Sequence, residues 1–167
     1  MNCPICHRDT LPHPTARACD DCEAPIAALT LWQPWATLVA KGRQNIENRR
    51  WAPGSWVVGR RIAIHAGQSF DFGDGSHAVA PDFKPWPRPE QCEAGAILAT
   101  VRVTGFLPPN CEPTKEEPWW YSEEFGWQIS GLRAIEPAIL NIRGRQKLWR
   151  LTEPMAAEIL RRQVTPK

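Results

Sequence analysis

The sequence predicts a mainly β protein with short helices, an α+β domain built around a small closed or half-closed barrel, preceded by a small cysteine-rich module. Three observations carry that expectation. The 17 prolines and 9 tryptophans in 167 residues work against long helices, because proline removes a backbone donor and blocks the helix interior. Stretches such as GRRIAIHAG and AGAILATVRVTGF alternate with the two-residue period of strands. Four of the six cysteines stand as two close pairs before residue 28.

The first module spans residues 1–28. Cys3 and Cys6 form one C-x2-C pair, and Cys19 and Cys22 form a second after a 12-residue spacer. Each pair can present two thiolates from a tight turn, and the spacer can close a hairpin, so the four sulfurs suit tetrahedral Zn2+. A segment this short has almost no core, so the metal would supply most of its folding free energy. A closed four-thiolate site leaves no open position for substrate, which makes the zinc structural. His7 and His13 are alternative ligands, while Cys92 and Cys111 lack such spacing and are expected to be free. The module carries Arg8 and Arg17 against Asp9, Asp20, Asp21 and Glu23, which suits a protein contact better than a phosphate clamp.

Residues 29–167 form the main domain. Leu29 to Trp32 reads as a short strand, and Pro34 fits the first helical position, where its missing N–H costs nothing. Trp35, Leu38 and Val39 recur at helical spacing, and Gly42 is suited to the C′ position, so the helix has about two turns. NIENR then reads as extended backbone, which places Glu47 and Arg49 on one side and Ile46 and Asn48 on the other. GRRIAIHAG reads as a half-buried strand, with Ile62 and Ile64 on one face and Arg61, Ala63 and His65 on the other. Ala94 to Phe106 is the central strand. FGWQISGLRAIE and RQKLWRLT read as closing strands, with Trp127 and Trp149 in the core. Gly67 to Glu93 and Leu107 to Glu124 are rich in Gly, Pro and acid and read as surface loops. EPMAAEILRRQ follows Thr152, a good N-cap, as a terminal helix.

The net charge of +2 hides a segregation. Lys41 to Arg61 holds six basic residues against Glu47, and residues 139–167 hold seven against Glu153 and Glu158, so each segment is +5. Residues 69–124 hold four basic and ten acidic residues, or −6. Two basic segments suit a polyanion-binding face; solvated surface charge is the simpler alternative. No apolar run is long enough to cross a bilayer, so no membrane partner is expected, and MNCPICHRDT lacks the features of a secretory signal. A reducing, cytoplasmic location fits the cysteine usage.

The stretch LTLWQPWATLVAKGRQNIENRRW, Leu29 to Trp51, resembles the signature of ASCH domains (activating signal cointegrator homology), a branch of the PUA-like barrels. The likeness extends through GRRIAIHAG, GAILATVRVTGF and FGWQISGLRAIEPAILNIRGRQKLWRL, and is most specific at Gln33-Pro34-Trp35, at Gly42 to Arg49, and at Gly144 to Trp149. It implies a PUA-like β-barrel with a cleft beside the short helix, associated with RNA, DNA or nucleobase-like ligands. Some relatives are amidohydrolases of acylated cytidine, or ribonucleases. Hydrolytic relatives carry a lysine two residues after the turn glycine and a threonine three residues further on. Gln44 and Glu47 stand there in this chain, and a neutral amide is neither nucleophile nor base.

Binding therefore leads over bond-making. The expected contact set for nucleic acid, RNA or a single-stranded or flipped DNA nucleotide, is Gln33, Trp35, Lys41, Arg43, Glu47, Arg49, Arg61, His65 and Arg145. Arg49 offers a guanidinium to phosphate or a base edge, with Glu47 orienting it, although the two could equally be an ordinary ion pair. Trp35 and Trp51 could stack on a base or plug the barrel. His65 reads as a hydrogen-bonded lining residue, and Gly144 to Lys147 as a tight basic turn or a plain solvated hairpin. The alternatives are a hydrolase of modified nucleosides or a ribonuclease, with Glu47 or Lys41 as the candidate groups, and an adaptor that binds a protein partner through the zinc module.

Overall fold

The structure is a computed structural model that describes residues 23–72, 86–111 and 117–164. Cys3, Cys6, Cys19 and Cys22 lie outside the described residues. In chain order the elements are β1 (Ala27–Gln33), α1 (Trp35–Ala40), β2 (Ile46–Arg49), β3 (Arg61–Phe70), a 3-10 turn (Pro89–Gln91), β4 (Ala96–Leu107), β5 (Phe125–Ile139), β6 (Leu148–Arg150), α2 (Glu153–Arg162) and β7 (Gln163–Val164). This is the mainly β architecture with short helices that the residue pattern predicts.

All the strands join one sheet in the order β2-β5-β4-β3-β1-β6, with β7 also paired to β5. β1 and β3 run parallel and the remaining pairs antiparallel. Among the described residues the hydrogen-bonded ladder stays open between β2 and β6. A side chain bridges part of that gap: Arg49 on β2 donates through Nη2 to the carbonyl of Thr30 on β1 at 2.9 Å, one residue past the last position paired with β6. The 15-residue strand β5 serves β2, β4 and β7 in turn, bending through three register shifts against β4. Bulges of this kind increase twist and let one strand turn a barrel corner.

The helix α1 starts one residue later than expected. Pro34 is its N-cap and Trp35 its first helical residue. Gln33 is buried and accepts from the backbone N–H of Thr37 at 3.1 Å, satisfying one of the helix's orphan donors. At the other end Gly42 adopts φ +67°, with Gly42 N bonded to Val39 O and Arg43 N to Leu38 O. That is the Schellman pattern, and only a residue at ease in the left-handed region closes it without strain.

One face of the sheet packs Leu29, Leu31, Ile62, Ile64, Val101 and Trp127 with Val39 of α1. The other face packs Ala28, Ala63, Ile97 and Ile135 against Ile159 of α2. β3 is therefore buried on both sides from Arg61 to Gly67, which corrects the half-buried reading: the terminal helix covers what alternation alone leaves to solvent. Burying Ile159 completely is worth about 1.5–3 kcal/mol. α2 itself is capped as expected, with Thr152 Oγ1 accepting from Met155 N.

The connection after β4 is also more than a surface loop. Trp119 and Trp120 are buried against Ile46, and Trp120 donates to the carbonyl of Glu124 at 2.9 Å. At the N-terminal side, packing begins before the boundary expected at Leu29: Ala27 and Ala28 are already in β1. Glu23, buried, pairs with Arg60 at 3.1 Å and with Arg102.

Candidate functional site

Two recesses flank the seam between β1 and β2, and they share Trp32 and Arg49 as a common wall. Trp32 alternates outward from Leu31 and Gln33 and is 60% exposed. Arg49 pairs with Glu47 at 3.1 Å besides its bond to Thr30. The ion pair on NIENR thus exists as the alternation predicts, and it stands at the division between two sites.

The larger recess, about 750 Å3, is lined by Arg49, Arg143, Arg145 and Lys147 together with Trp32, Trp51 and His65. Among the described residues that line it, none is acidic. Residues 141–147 build one wall. They do not form a tight hairpin, because β4, β3 and β1 lie between β5 and β6 in the sheet, so the segment crosses the ends of those strands to reach β6. Two bonds hold it there: Ile142 N donates to Gly95 O at 2.8 Å, and His65 Nε2 contacts Ile142 O at 2.9 Å.

That contact to a carbonyl puts the His65 proton on Nε2 and leaves Nδ1 as a buried acceptor with no partner among the described residues. Burial pushes the His65 pKa below the ordinary histidine value, opposed by the bond to Ile142. The imidazole is accordingly neutral near pH 7, wedged edge-on against Trp149, whose Nε1 donates to Thr30 Oγ1. Gly144 passes so near that a Cβ there would come within 2.4 Å of His65 Cε1. The glycine lets the basic segment lie flat over the histidine.

The smaller recess, about 300 Å3, is lined by Trp32, Trp35, Gln44, Glu47, Asn48, Arg49, Asp71, Tyr121 and Glu124, with Leu31 behind. Trp35 donates through Nε1 to Asp71 at 3.1 Å and packs edge-on against Trp86 and Trp119. Gln44 Nε2 donates to Ile46 O at 2.7 Å and to Glu47 at 3.1 Å, while its Oε1 is buried and has no partner among the described residues. Burial pushes the Glu47 carboxyl above its ordinary pKa, against the pull of Arg49 and Gln44. Tyr121 is pushed up to about 12, chiefly by burial and then by Asp71, Glu47 and Glu124. It keeps its proton at neutral pH.

The expected site residues therefore divide. Arg49, His65 and Arg145 meet in the larger recess; Trp35, Glu47 and Arg49 meet in the smaller one. Gln33 lines neither and spends its amide on Thr37 and on the carbonyl of Glu93. Lys41 and Arg43 are exposed but lie outside both recesses. Arg61 is fully buried, with Nη1 bonded to Thr100 Oγ1 at 3.1 Å and Gly131 O at 2.8 Å. It holds β3, β4 and β5 together and cannot meet an external phosphate. Trp32, Asp71 and Tyr121 were not foreseen. Trp32 was detectable as a large aromatic at an outward parity, whereas Asp71 and Tyr121 arrive from segments that the alternation does not place.

The sequence pattern of the ASCH domain matches residues 29–139, most of the described chain and well over half of the whole. The chain belongs to the ASCH domain family. Its structure is similar to that of an ASCH protein from Zymomonas mobilis, at 13% identity and a TM-score of 0.50, covering 83% of this chain and 96% of the other. Two single-substitution variants of the Zymomonas mobilis protein match in the same way. One has 14% identity and a TM-score of 0.51, covering 87% and 99%; the other has 14% and 0.50, covering 83% and 98%. At such identities the likeness establishes the fold. No curated protein sequence matches the chain.

In this ASCH domain the cations of the 140–147 segment lie beyond the matched residues, on the chain that follows β5. Gln44 and Glu47, both buried, are in direct contact and line the smaller recess. Among the described residues no group of three or more His, Cys, Asp or Glu is arranged to hold a metal ion. Among them, too, no helix is long and apolar enough to cross a membrane. Cys92 and Cys111 are free thiols.

Proposed function

We propose that this ASCH domain binds single-stranded nucleic acid, or a nucleotide splayed from a duplex, with phosphates in the larger recess. The observation that supports the reading is the lining of that recess: Arg143, Arg145, Lys147 and Arg49 line it together, with no acidic residue among the described lining residues, beside the outward face of Trp32. Cations track a phosphate backbone and an exposed aromatic accepts an unstacked base, which is the general arrangement of single-strand binders. Binding is favoured over hydrolysis because Gln44 offers neither a nucleophile nor a base beside Glu47. Fluorescence anisotropy with a short labelled RNA and its DNA counterpart tests this. An Arg143→Ala, Arg145→Ala, Lys147→Ala variant should lose most of the affinity, and unaltered affinity would sink the reading.

The four-cysteine segment is proposed to hold one structural Zn2+ through Cys3, Cys6, Cys19 and Cys22, on the strength of the C-x2-C spacing alone. Metal analysis of the purified chain should give one zinc per molecule, and Cys3→Ser with Cys6→Ser should abolish it. An unchanged metal content in that variant would refute the ligand set.

A further inference from the structure

The two recesses differ in charge although they share a wall. The larger is lined by cations, whereas the smaller gathers Glu47, Asp71 and Glu124 around Trp32, Trp35 and Tyr121, with Arg49 at the boundary. Arg49 largely offsets Glu47, to which it is paired. Asp71, which accepts from neutral Trp35, and Glu124, only loosely paired with exposed Arg50 at 3.8 Å, are both partly buried and leave the recess with one carboxylate more than its cations offset. It is the wrong place for phosphate and a suitable one for an electron-poor ligand.

Gln44 sharpens what that ligand must offer. Gln44 is 5% exposed, both its N–H groups are committed to Ile46 and Glu47, and Oε1 has no donor among the described residues. A buried acceptor left unsatisfied costs about 1–3 kcal/mol; Oε1 itself is closed off from solvent, so a ligand N–H gains it only where the amide turns toward the recess. Each carboxylate oxygen of Glu47 accepts one bond from the protein and retains a further acceptor site. At about 300 Å3 the recess is at the small end for ligand sites; a single base ring is the natural occupant.

Resting on the reading of the larger recess as a phosphate site, we propose that the smaller recess receives one nucleobase by an edge rich in N–H donors. A guanine-type edge, with a ring N–H beside an exocyclic amine, fits best, and a ring made cationic by N-methylation fits better still. Adenine and uracil turn at least one acceptor toward the carboxylates. Aromatic faces attract cations electrostatically, so Trp32 and Tyr121 act in the same direction as Asp71 and Glu124.

The test is tryptophan-fluorescence titration of the full chain with GMP, 7-methyl-GMP, AMP and UMP at low salt. GMP should bind at least about fivefold more tightly than AMP or UMP, the lower end of base discrimination by paired hydrogen bonds, and 7-methyl-GMP should bind more tightly than GMP. Asp71→Asn with Glu124→Gln, at two partly exposed positions, should remove the advantage of the methylated base. Equal affinities for the four nucleotides, or tetramethylammonium competing as well as 7-methyl-GMP, would overturn the proposal. If oligonucleotides still bound through Arg143, Arg145 and Lys147 in that event, the phosphate site would stand and only the base assignment would fall. If neither nucleotides nor oligonucleotides bound, both would fall.

Discussion

Gln44 donates through Nε2 to the carboxylate of Glu47 at 3.1 Å, in a recess where burial holds the Glu47 carboxyl above its ordinary pKa. The amide is a weak opponent of that desolvation, because it carries no net charge. Gln44→Lys puts an ammonium at the position where the resemblance to hydrolytic relatives places one, and opposite charges in contact favour the ionised acid. The Glu47 pKa should fall in that variant, read from carboxyl resonances or infrared bands across an acid titration. An unchanged pKa would mean that the two side chains are not in contact in solution.

Gly144 lies against His65 in the wall of the larger recess, and a Cβ would meet Cε1 at 2.4 Å, Nδ1 at 2.6 Å and Thr30 Oγ1 at 2.9 Å. The ring has no room to retreat, since it is buried between Ile142 and Trp149. Gly144→Ala should therefore lift the 140–147 segment, at a cost of about 1–3 kcal/mol for overpacking, and weaken nucleic-acid binding along with it. Denaturant unfolding and anisotropy on the same preparation check both effects; wild-type values for both would contradict the packing described.

Arg61 and Arg145 both looked like phosphate ligands in the sequence, and the structure separates them. Arg61→Ala removes a fully buried side chain and strands the acceptors on Thr100 and Gly131, so it should cost about 2–4 kcal/mol of stability. Under native conditions it should leave the salt dependence of binding unchanged. Arg145→Ala should behave in the opposite way, with wild-type unfolding and weaker, less salt-sensitive binding.

The low pKa of His65 has a signed consequence. Because the folded value lies below the ordinary one of 6.5, the unfolded chain binds more protons as pH falls below that value, and the folded state loses stability there. Glu47, raised in the fold, acts in the reverse sense at lower pH, so the comparison must isolate the histidine. His65→Gln keeps an Nε2–H donor for Ile142 and does not titrate. The stability of wild type relative to this variant should fall between pH 6.5 and pH 5, as measured by urea unfolding; a pH-independent difference would show that His65 titrates normally.

The elements that alternate or recur at helical spacing were legible: β1, α1, the NIENR strand, β4 and α2 with Thr152 as its cap. What was not legible depended on contacts between distant segments. His65 and Arg61 share one parity on β3, yet one lines a recess and the other holds three strands together, because the bulge between Ile64 and His65 and the strands on either side decide what each side chain meets. Gln33 read as a cleft residue because it sits in the most specific motif, but the adjoining helix start claims its amide. The basic segment after Leu140 was visible as charge. Its path across the end of β3 follows from the strand order, which one-dimensional pattern does not contain.

The central claim is that phosphates are held by the cations of the larger recess, and the salt dependence of single-stranded RNA binding tests it most directly. Neutralising phosphates releases counterions, so log K should fall linearly with log salt, by about 0.7 per cation engaged on a single strand. The Arg143→Ala, Arg145→Ala, Lys147→Ala variant should lower the magnitude of the slope by about 2 while unfolding like wild type. A slope unchanged in a fully folded variant would contradict the assignment of that recess.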